Sequence, residues 1–304
     1  MSKLGIIFSG QGAQYYGMGK EISSFEVANQ VYETASKAVG FNVSELCFTE
    51  NDNLNITEFT QVAILTTSIA IYEVLKSKGV EASEVAGLSL GEYSALVAAG
   101  VIGLTEAVKL VNKRGKFMTE AVPTGVGGMA AIIGMEKDVL LDIVNEAGCE
   151  ISNYNCPKQL VIGGEKEAVL KACDLALEKG ARRAIPLNVS GPFHTSLLKP
   201  ASDKLSIELE NIEFNTPNIP VVMNVTADYL KGDVKELLTK QVMSSVLWED
   251  SIRKMISNGV DTFIEVGPGK VLSGFVKKID KSLTILNVED MDSLNKTLNK
   301  MEVK

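Results

Sequence analysis

The sequence predicts an α/β protein: a large domain on a mainly parallel sheet, with a small ferredoxin-like (βαββαβ) domain inserted into it. Three observations predict it. Short apolar runs alternate with amphipathic helical stretches toward both ends of the chain, as in a parallel sheet. From about residue 128 to 190 the order becomes strand, helix, strand, strand, helix, strand. Flanks marked by Gly and Pro, Pro123-Thr124-Gly125 and Gly191-Pro192, bracket that stretch. The expected division is 1–124 with 191–304 for the large domain and 125–190 for the insertion.

The first strand is expected over 4–8, a short apolar run ending in Ser9-Gly10-Gln11-Gly12-Ala13-Gln14. That turn lacks the third glycine of a dinucleotide fingerprint and the Gly-Lys-Ser/Thr of a phosphate loop, which argues against nucleotide binding. It still offers backbone N–H groups to an anion. Helices are expected at 24–39, where Phe25, Ala28, Tyr32, Ala35 and Val39 share a face before Gly40, and at 57–78 before Gly79. Val85-Ala86 reads as the next strand, followed by helices at 93–99 and 105–121. Within the insertion, strands are expected at 129–133, 149–154, 159–162 and 182–187, with helices at 137–147 and 165–179. The remainder reads as a helix at 196–211, a strand at 221–225, and helices at 233–243 and 249–258. A strand at 262–266 then leads through Gly267-Pro268-Gly269 into a helix to 279, and a strand at 282–287 and a helix at 291–301 close the chain.

Composition narrows the functional classes. With 304 residues, 45% hydrophobic and 22% charged, the chain can bury one large core and a smaller one. No apolar run approaches the ~18 residues that span a bilayer, and Met1-Ser2-Lys3-Leu4-Gly5 is too poor in apolar residues for a secretory signal. A cytoplasmic protein without a membrane segment is expected. The net charge of −8 argues against general nucleic-acid binding and requires any acidic partner to dock on a local basic patch. Cys47, Cys149, Cys156 and Cys173 form no Cys-x-x-Cys pair and read as reduced thiols. His194 is the single histidine, which excludes histidine-rich metal sites; no metal is expected.

Three stretches carry chemistry. In Val85-Ala86-Gly87-Leu88-Ser89-Leu90-Gly91-Glu92, a strand enters Gly-x-Ser-x-Gly and a helix follows at once. That context lifts the Ser89 hydroxyl out of a tight turn and aims the first helical N–H groups at whatever it attacks. His194 follows a Gly-Pro corner where the insertion returns, a place to hold a base rigidly. More than 100 residues follow His194, which fits poorly with hydrolases whose histidine lies near the C-terminus. Arg114 is one of only four arginines, and its planar fork suits a carboxylate; the alternative is a solvated helix face shared with Lys113 and Lys116.

Five segments together resemble the malonyl-CoA:acyl carrier protein transacylases over essentially the full length. They are Phe8-Ser9-Gly10-Gln11-Gly12-Ala13-Gln14, the stretch from Gly87 to Leu96, Arg114-Gly115-Lys116-Phe117-Met118, Gly191-Pro192-Phe193-His194 and Glu265-Val266-Gly267-Pro268-Gly269-Lys270. The resemblance implies an α/β-hydrolase-like large domain, Ser89 as nucleophile and His194 as its base. It implies an oxyanion hole from the Gln11 and Leu90 amides and Arg114 as the carboxylate receptor. Gln61, Met118, Asn155 and Phe193 are expected to line the pocket. The substrates implied are malonyl-CoA and holo-acyl carrier protein, with no bound cofactor and a monomeric enzyme. Leu88 stands where the family commonly has histidine. Leu247 stands where relatives often have Gln or Asn, so its backbone carbonyl is expected to orient His194. For an acidic carrier, Arg182, Arg183, Lys270, Lys277 and Lys278 are the candidate basic rim. The competing readings are a serine esterase or thioesterase, a transacylase of polyketide assembly or malonate decarboxylation, and a non-catalytic module.

Overall fold

The computed structural model describes residues 3–123 and 125–302; Thr124, the expected edge of the large domain, lies outside the described residues, as do both chain ends of the expected division. The first part of the chain forms β1 (Lys3–Phe8), α1 (Glu26–Val39), α2 (Val43–Phe48), α3 (Thr57–Ser77), β2 (Glu84–Gly87), α4 (Leu90–Ala98) and α5 (Leu104–Glu120). The middle forms β3 (Gly127–Ile133), α6 (Lys137–Ala147), β4 (Glu150–Cys156), β5 (Gln159–Glu165), α7 (Lys166–Glu178) and β6 (Arg183–Pro186). The last part forms α8 (Lys199–Glu210), β7 (Val221–Val222), α9 (Val234–Met243) and α10 (Trp248–Ser257). It ends with β8 (Val260–Val266), α11 (Val271–Ile279), β9 (Thr284–Val288) and α12 (Met291–Lys300).

Two sheets result. The larger has the order β7-β2-β1-β8-β9, every pair parallel. Its central strands are buried on both faces, as parallel strands under helices must be. Side chains alternate: Ile6, Phe8, Val85, Ile264 and Val266 pack into one core, and Ile7, Ala86, Val222 and Phe263 into another with Trp248 and Met255. The smaller sheet, β4-β5-β3-β6, is antiparallel and has its own core under α6 and α7. That strand order is the ferredoxin-like one the sequence predicts.

The register decides where chemistry gathers. Phe8 pairs with both Gly87 and Val266, so three strands end level with one another. The turns that follow, at Ser9, Leu88 and Gly267, share one carboxyl edge, where open α/β sheets bind their ligands. Two elements differ from expectation. The short helix α2 is too brief to show periodicity; the Asn42 side chain caps it, accepting from the Glu45 amide. The strand expected at 221–225 stops at Val222 because the Asn224 amide turns toward α4, donating to Glu92 Oε2 at 2.6 Å.

The α3–α5 contact sets the position of Arg114. Gly115 lies against the start of α3, where a Cβ would stand 2.6 Å from Glu58 Cα and 2.8 Å from the Thr57 carbonyl oxygen. Both are backbone atoms and cannot swing aside. Gly115→Ala is therefore expected to destabilise by about 1–3 kcal/mol from overpacking, although alanine's helix propensity alone would add ~1 kcal/mol. A denaturant midpoint that rises in this variant would show that the two helices separate freely.

Candidate active site

Ser89 sits at the turn between β2 and α4 with φ 54° and ψ −103°. This conformation is unfavourable for a residue with a side chain. Two glycines permit it: a Cβ on Gly87 would collide with the Gly91 carbonyl, and one on Gly91 with the Phe8 carbonyl. Asn224 clamps the turn, its Oδ1 accepting from the Ser89 amide and its Nδ2 donating to the Gly87 carbonyl, both at 2.7 Å. The Gln241 side chain donates to the Ser89 carbonyl at 2.8 Å. The hydroxyl projects from a fully tethered backbone.

His194 comes to it across 105 residues of sequence, with Nε2 at 2.7 Å from Ser89 Oγ. Nδ1 lies 2.8 Å from the Gln241 carbonyl oxygen, which can only accept, so Nδ1 carries the proton and Nε2 is free to take one. Burial, and then the nearby Arg114 charge, push the imidazole down to about 4 from 6.5, against the pull of the carbonyl hydrogen bond. A neutral imidazole at Nε2 is a base ready for the serine proton.

Leu247 is not the acceptor expected for His194. Its carbonyl is taken by the first turn of α10, where the Ser251 amide and hydroxyl both donate to it. The acceptor comes from the last turn of α9, which ends at Met243 and leaves the Gln241 carbonyl without an i+4 helical donor.

Arg114 is 1% exposed. Its Nη1 donates to Gln61 Oε1 and its Nη2 to Gln241 Oε1, each at 2.9 Å, and Nη2 also lies 3.2 Å from Ser89 Oγ. The guanidinium stacks 5.2 Å from the Tyr93 ring centroid. No carboxylate lies within 4 Å of it among the described residues; its hydrogen-bond partners are neutral amides, and the acidic groups that act on it through the field are Tyr93 and Glu92. A cation so placed can pair with an anion brought beside the Ser89 hydroxyl.

Ser89 and His194 open onto a cleft of about 710 Å³ between the two sheets, lined also by Gln11, Leu88, Met118, Asn155 and Phe193 among others, while Arg114 lies enclosed behind Ser89. The cleft has the size of a small-molecule pocket. The amides of Gln11 and Leu90 have no hydrogen-bond partner among the described residues. Asn155 Oδ1 is also unpartnered. Gln61, expected on the pocket wall, stands behind it: fully buried, it reaches the site through Arg114. No cluster of His, Cys, Asp or Glu suited to a metal occurs among the described residues.

Sequence reading missed Asn224, Gln241 and Glu92. Gln241 left a signal, a polar residue on the apolar face of α9 three residues after Leu238. Asn224 left none, because it works from an irregular turn.

Residues 6–297 match the family described as acyl transferase domain. The chain is 47% identical over 303 residues to the malonyl CoA-acyl carrier protein transacylase of Bacillus subtilis (strain 168), covering 97% of this chain and 96% of the relative. It is 45% identical over 295 residues to the enzyme of the same name from Escherichia coli (strain K12), covering 93% and 95%. Among solved structures, the transacylase of Clostridium perfringens Atcc 13124 superposes with a TM-score of 0.97 at 50% identity, covering 99% of this chain and 98% of that one. A type II PKS acyl-carrier protein in complex with its malonyl-transacylase matches with a TM-score of 0.95 at 40% identity, covering 98% of this chain and 100% of that one.

The depressed imidazole gives a pH signature. Protonation removes the base, so Ser89 reactivity is kept above the folded-state pKa and lost as pH falls through it. The rate of Ser89 modification by a sulfonyl fluoride should hold level as pH drops through 6.5 and fall only near 4. A half-loss near 6.5 would mean that neither burial nor Arg114 acts on His194.

Proposed function

The chain belongs to the acyl transferase domain family, and from that membership we propose that it moves malonyl groups from malonyl-CoA to the phosphopantetheine thiol of acyl carrier protein, supplying fatty-acid elongation. One observation carries the reading: Ser89 Oγ lies between the His194 base and the Arg114 cation. A nucleophile that touches a fixed cation is matched to an acyl group with a free carboxylate at its far end. The names of the relatives point to the same substrates.

The steps follow. The malonyl carboxylate pairs with Arg114, which places the thioester carbon over Ser89. His194 Nε2 takes the hydroxyl proton as Oγ bonds to that carbon. The Gln11 and Leu90 amides hold the oxyanion, each worth roughly 3–4 kcal/mol in the transition state. The C–S bond breaks, CoA leaves with the proton from His194, and a malonyl-serine ester remains. The carrier thiol then gives its proton to His194 and its sulfur displaces Ser89, which recovers the proton: a ping-pong exchange.

The division of the chain belongs to the proposal: 1–124 with 191–304 as the catalytic domain and 125–190 as the insertion. The separate core of the smaller sheet supports it. A monomeric, cytoplasmic enzyme belongs to the proposal too; the four buried, unpaired cysteines suit a reducing compartment.

For carrier docking, β6 refines the expected basic rim. Arg183, Ile185 and Leu187 follow the register of Ile133, Ala131 and Met129, and so face the side of the smaller sheet that lines the cleft. Ile185, Leu187 and Val271 are exposed there, and Lys278 reaches Gln159 on the cleft wall. Arg182 lies just before β6, outside the strand whose alternation places Arg183 on the cleft side. Arg183→Glu should raise the apparent KM for the carrier alone, and Arg182→Glu should change it little. Equal effects would place the carrier elsewhere.

The direct test is intact mass spectrometry after adding malonyl-CoA. Wild type should gain a malonyl adduct that holo-carrier protein clears, and Ser89→Ala should gain none. Arg114→Ala should slow malonyl loading by about 100-fold or more while affecting acetyl loading far less. An unmodified wild-type protein would overturn the proposal.

A further inference from the structure

Three glutamates are buried to within about one per cent of full enclosure, and two have both carboxylate oxygens served. Glu265 accepts from the Leu272 and Ser273 amides at 3.0 and 2.6 Å. Glu84 accepts from the Tyr229 hydroxyl and from the Asn258 side chain. Glu92 differs. It is fully buried in the first turn of α4, its Oε2 accepts from the Asn224 amide at 2.6 Å, and its Oε1 has no partner. It makes no ion pair among the described residues. An ionised carboxylate enclosed with one donor pays a heavy desolvation penalty, which a neutral acid avoids.

The Asn224 that Glu92 holds is the same residue that grips the Ser89 amide and the Gly87 carbonyl. Glu92 therefore anchors the clamp on the strained turn from below. The groups facing it are Arg114 from α5, Gln241 from α9, Asn224 from the turn after β7, and Tyr93 on its own helix; only Arg114 is charged. Burial raises its carboxyl to about 8, with the Asn224 amide, Arg114 and Gln241 opposing.

We propose that Glu92 is a positioning residue that works as a neutral carboxylic acid: it fixes Asn224, which fixes Ser89, and it leaves Arg114 as the only charge buried beside the acyl pocket. The inference rests on Ser89 as nucleophile and Arg114 as carboxylate receptor. Neutrality serves specificity, since an ionised Glu92 would compensate Arg114 from within and repel the substrate's own carboxylate.

Two measurements test it. In infrared difference spectra at neutral pH, wild type minus Glu92→Gln should show the C=O stretch of a protonated carboxyl, shifted in D2O. In steady-state transfer, Glu92→Ala should lower kcat by about tenfold with little change in KM for malonyl-CoA, and Glu92→Gln should recover most of that loss. Gln keeps the shape and the acceptor and cannot ionise. A missing band, or Glu92→Gln as impaired as Glu92→Ala at equal Tm, overturns the proposal. If the alanine variant does not fold, a Glu92→Gln enzyme at least as slow as about one-tenth of wild type overturns it equally. Failure of wild type to form the malonyl adduct would instead overturn the assigned function, and the infrared result would still decide the state of Glu92.

Discussion

The strained backbone at Ser89 is the constraint on which the site depends. A non-glycine residue at φ 54° and ψ −103° stores roughly 1–3 kcal/mol, and such a conformation persists only where the surroundings over-determine it. Here they do so from both sides of the peptide: Asn224 holds the Ser89 amide and Gln241 holds its carbonyl. His194 is itself at φ 61°. Two residues in unfavourable conformations are brought within 2.7 Å of each other. Relaxation of either would carry the hydroxyl away from its base.

The same tethers explain how a buried cation survives unpaired. Arg114 is oriented by the amide oxygens of Gln61 and Gln241, which engage Nη1 and Nη2 without cancelling the charge and leave Nε without a partner. Carboxylates in those places would orient the guanidinium equally well and neutralise it, leaving the substrate's anion nothing to bind. Gln241 thus touches all three functional residues: Arg114 and Ser89 through its side chain, His194 through its carbonyl. A displacement of the last turn of α9 would disturb Ser89, His194 and Arg114 together.

Much of this was legible in the chain, because Ser89, His194 and Arg114 lie in local patterns with local causes. Gly-x-Ser-x-Gly reports a tight turn and a lone histidine leaves no rival base; the scarce arginine suited a planar fork or a solvated helix face, and its burial excludes the second. The smaller sheet was readable from element order alone. What sequence did not reveal were groups acting through the backbone or from irregular turns. Any residue carries a carbonyl, so choosing between Leu247 and Gln241 required knowing which helix had spare acceptors. Leu247 opens α10 and its carbonyl is spent on Ser251; Gln241 closes α9 and its carbonyl is free. Asn224 was hidden for a related reason: its neighbours suggest a continuing strand, and the turn exists to reach Ser89 and Glu92.

The geometry also ties substrate choice to the strength of the base. In many serine enzymes a carboxylate behind the histidine stabilises the imidazolium that forms during attack. Here a neutral carbonyl takes that place, and the Arg114 charge depresses the imidazole further. Burial is the larger cause of that depression, and the Arg114 charge is the part that a bound anion can change. On the proposed reading, a malonyl carboxylate seated on Arg114 cancels the charge that weakens His194. The base then strengthens at the moment the thioester is in place. An acyl group without a carboxylate leaves the Arg114 share of that depression in place. Arg114 thus discriminates twice, once in binding and once through the basicity of the residue beside it.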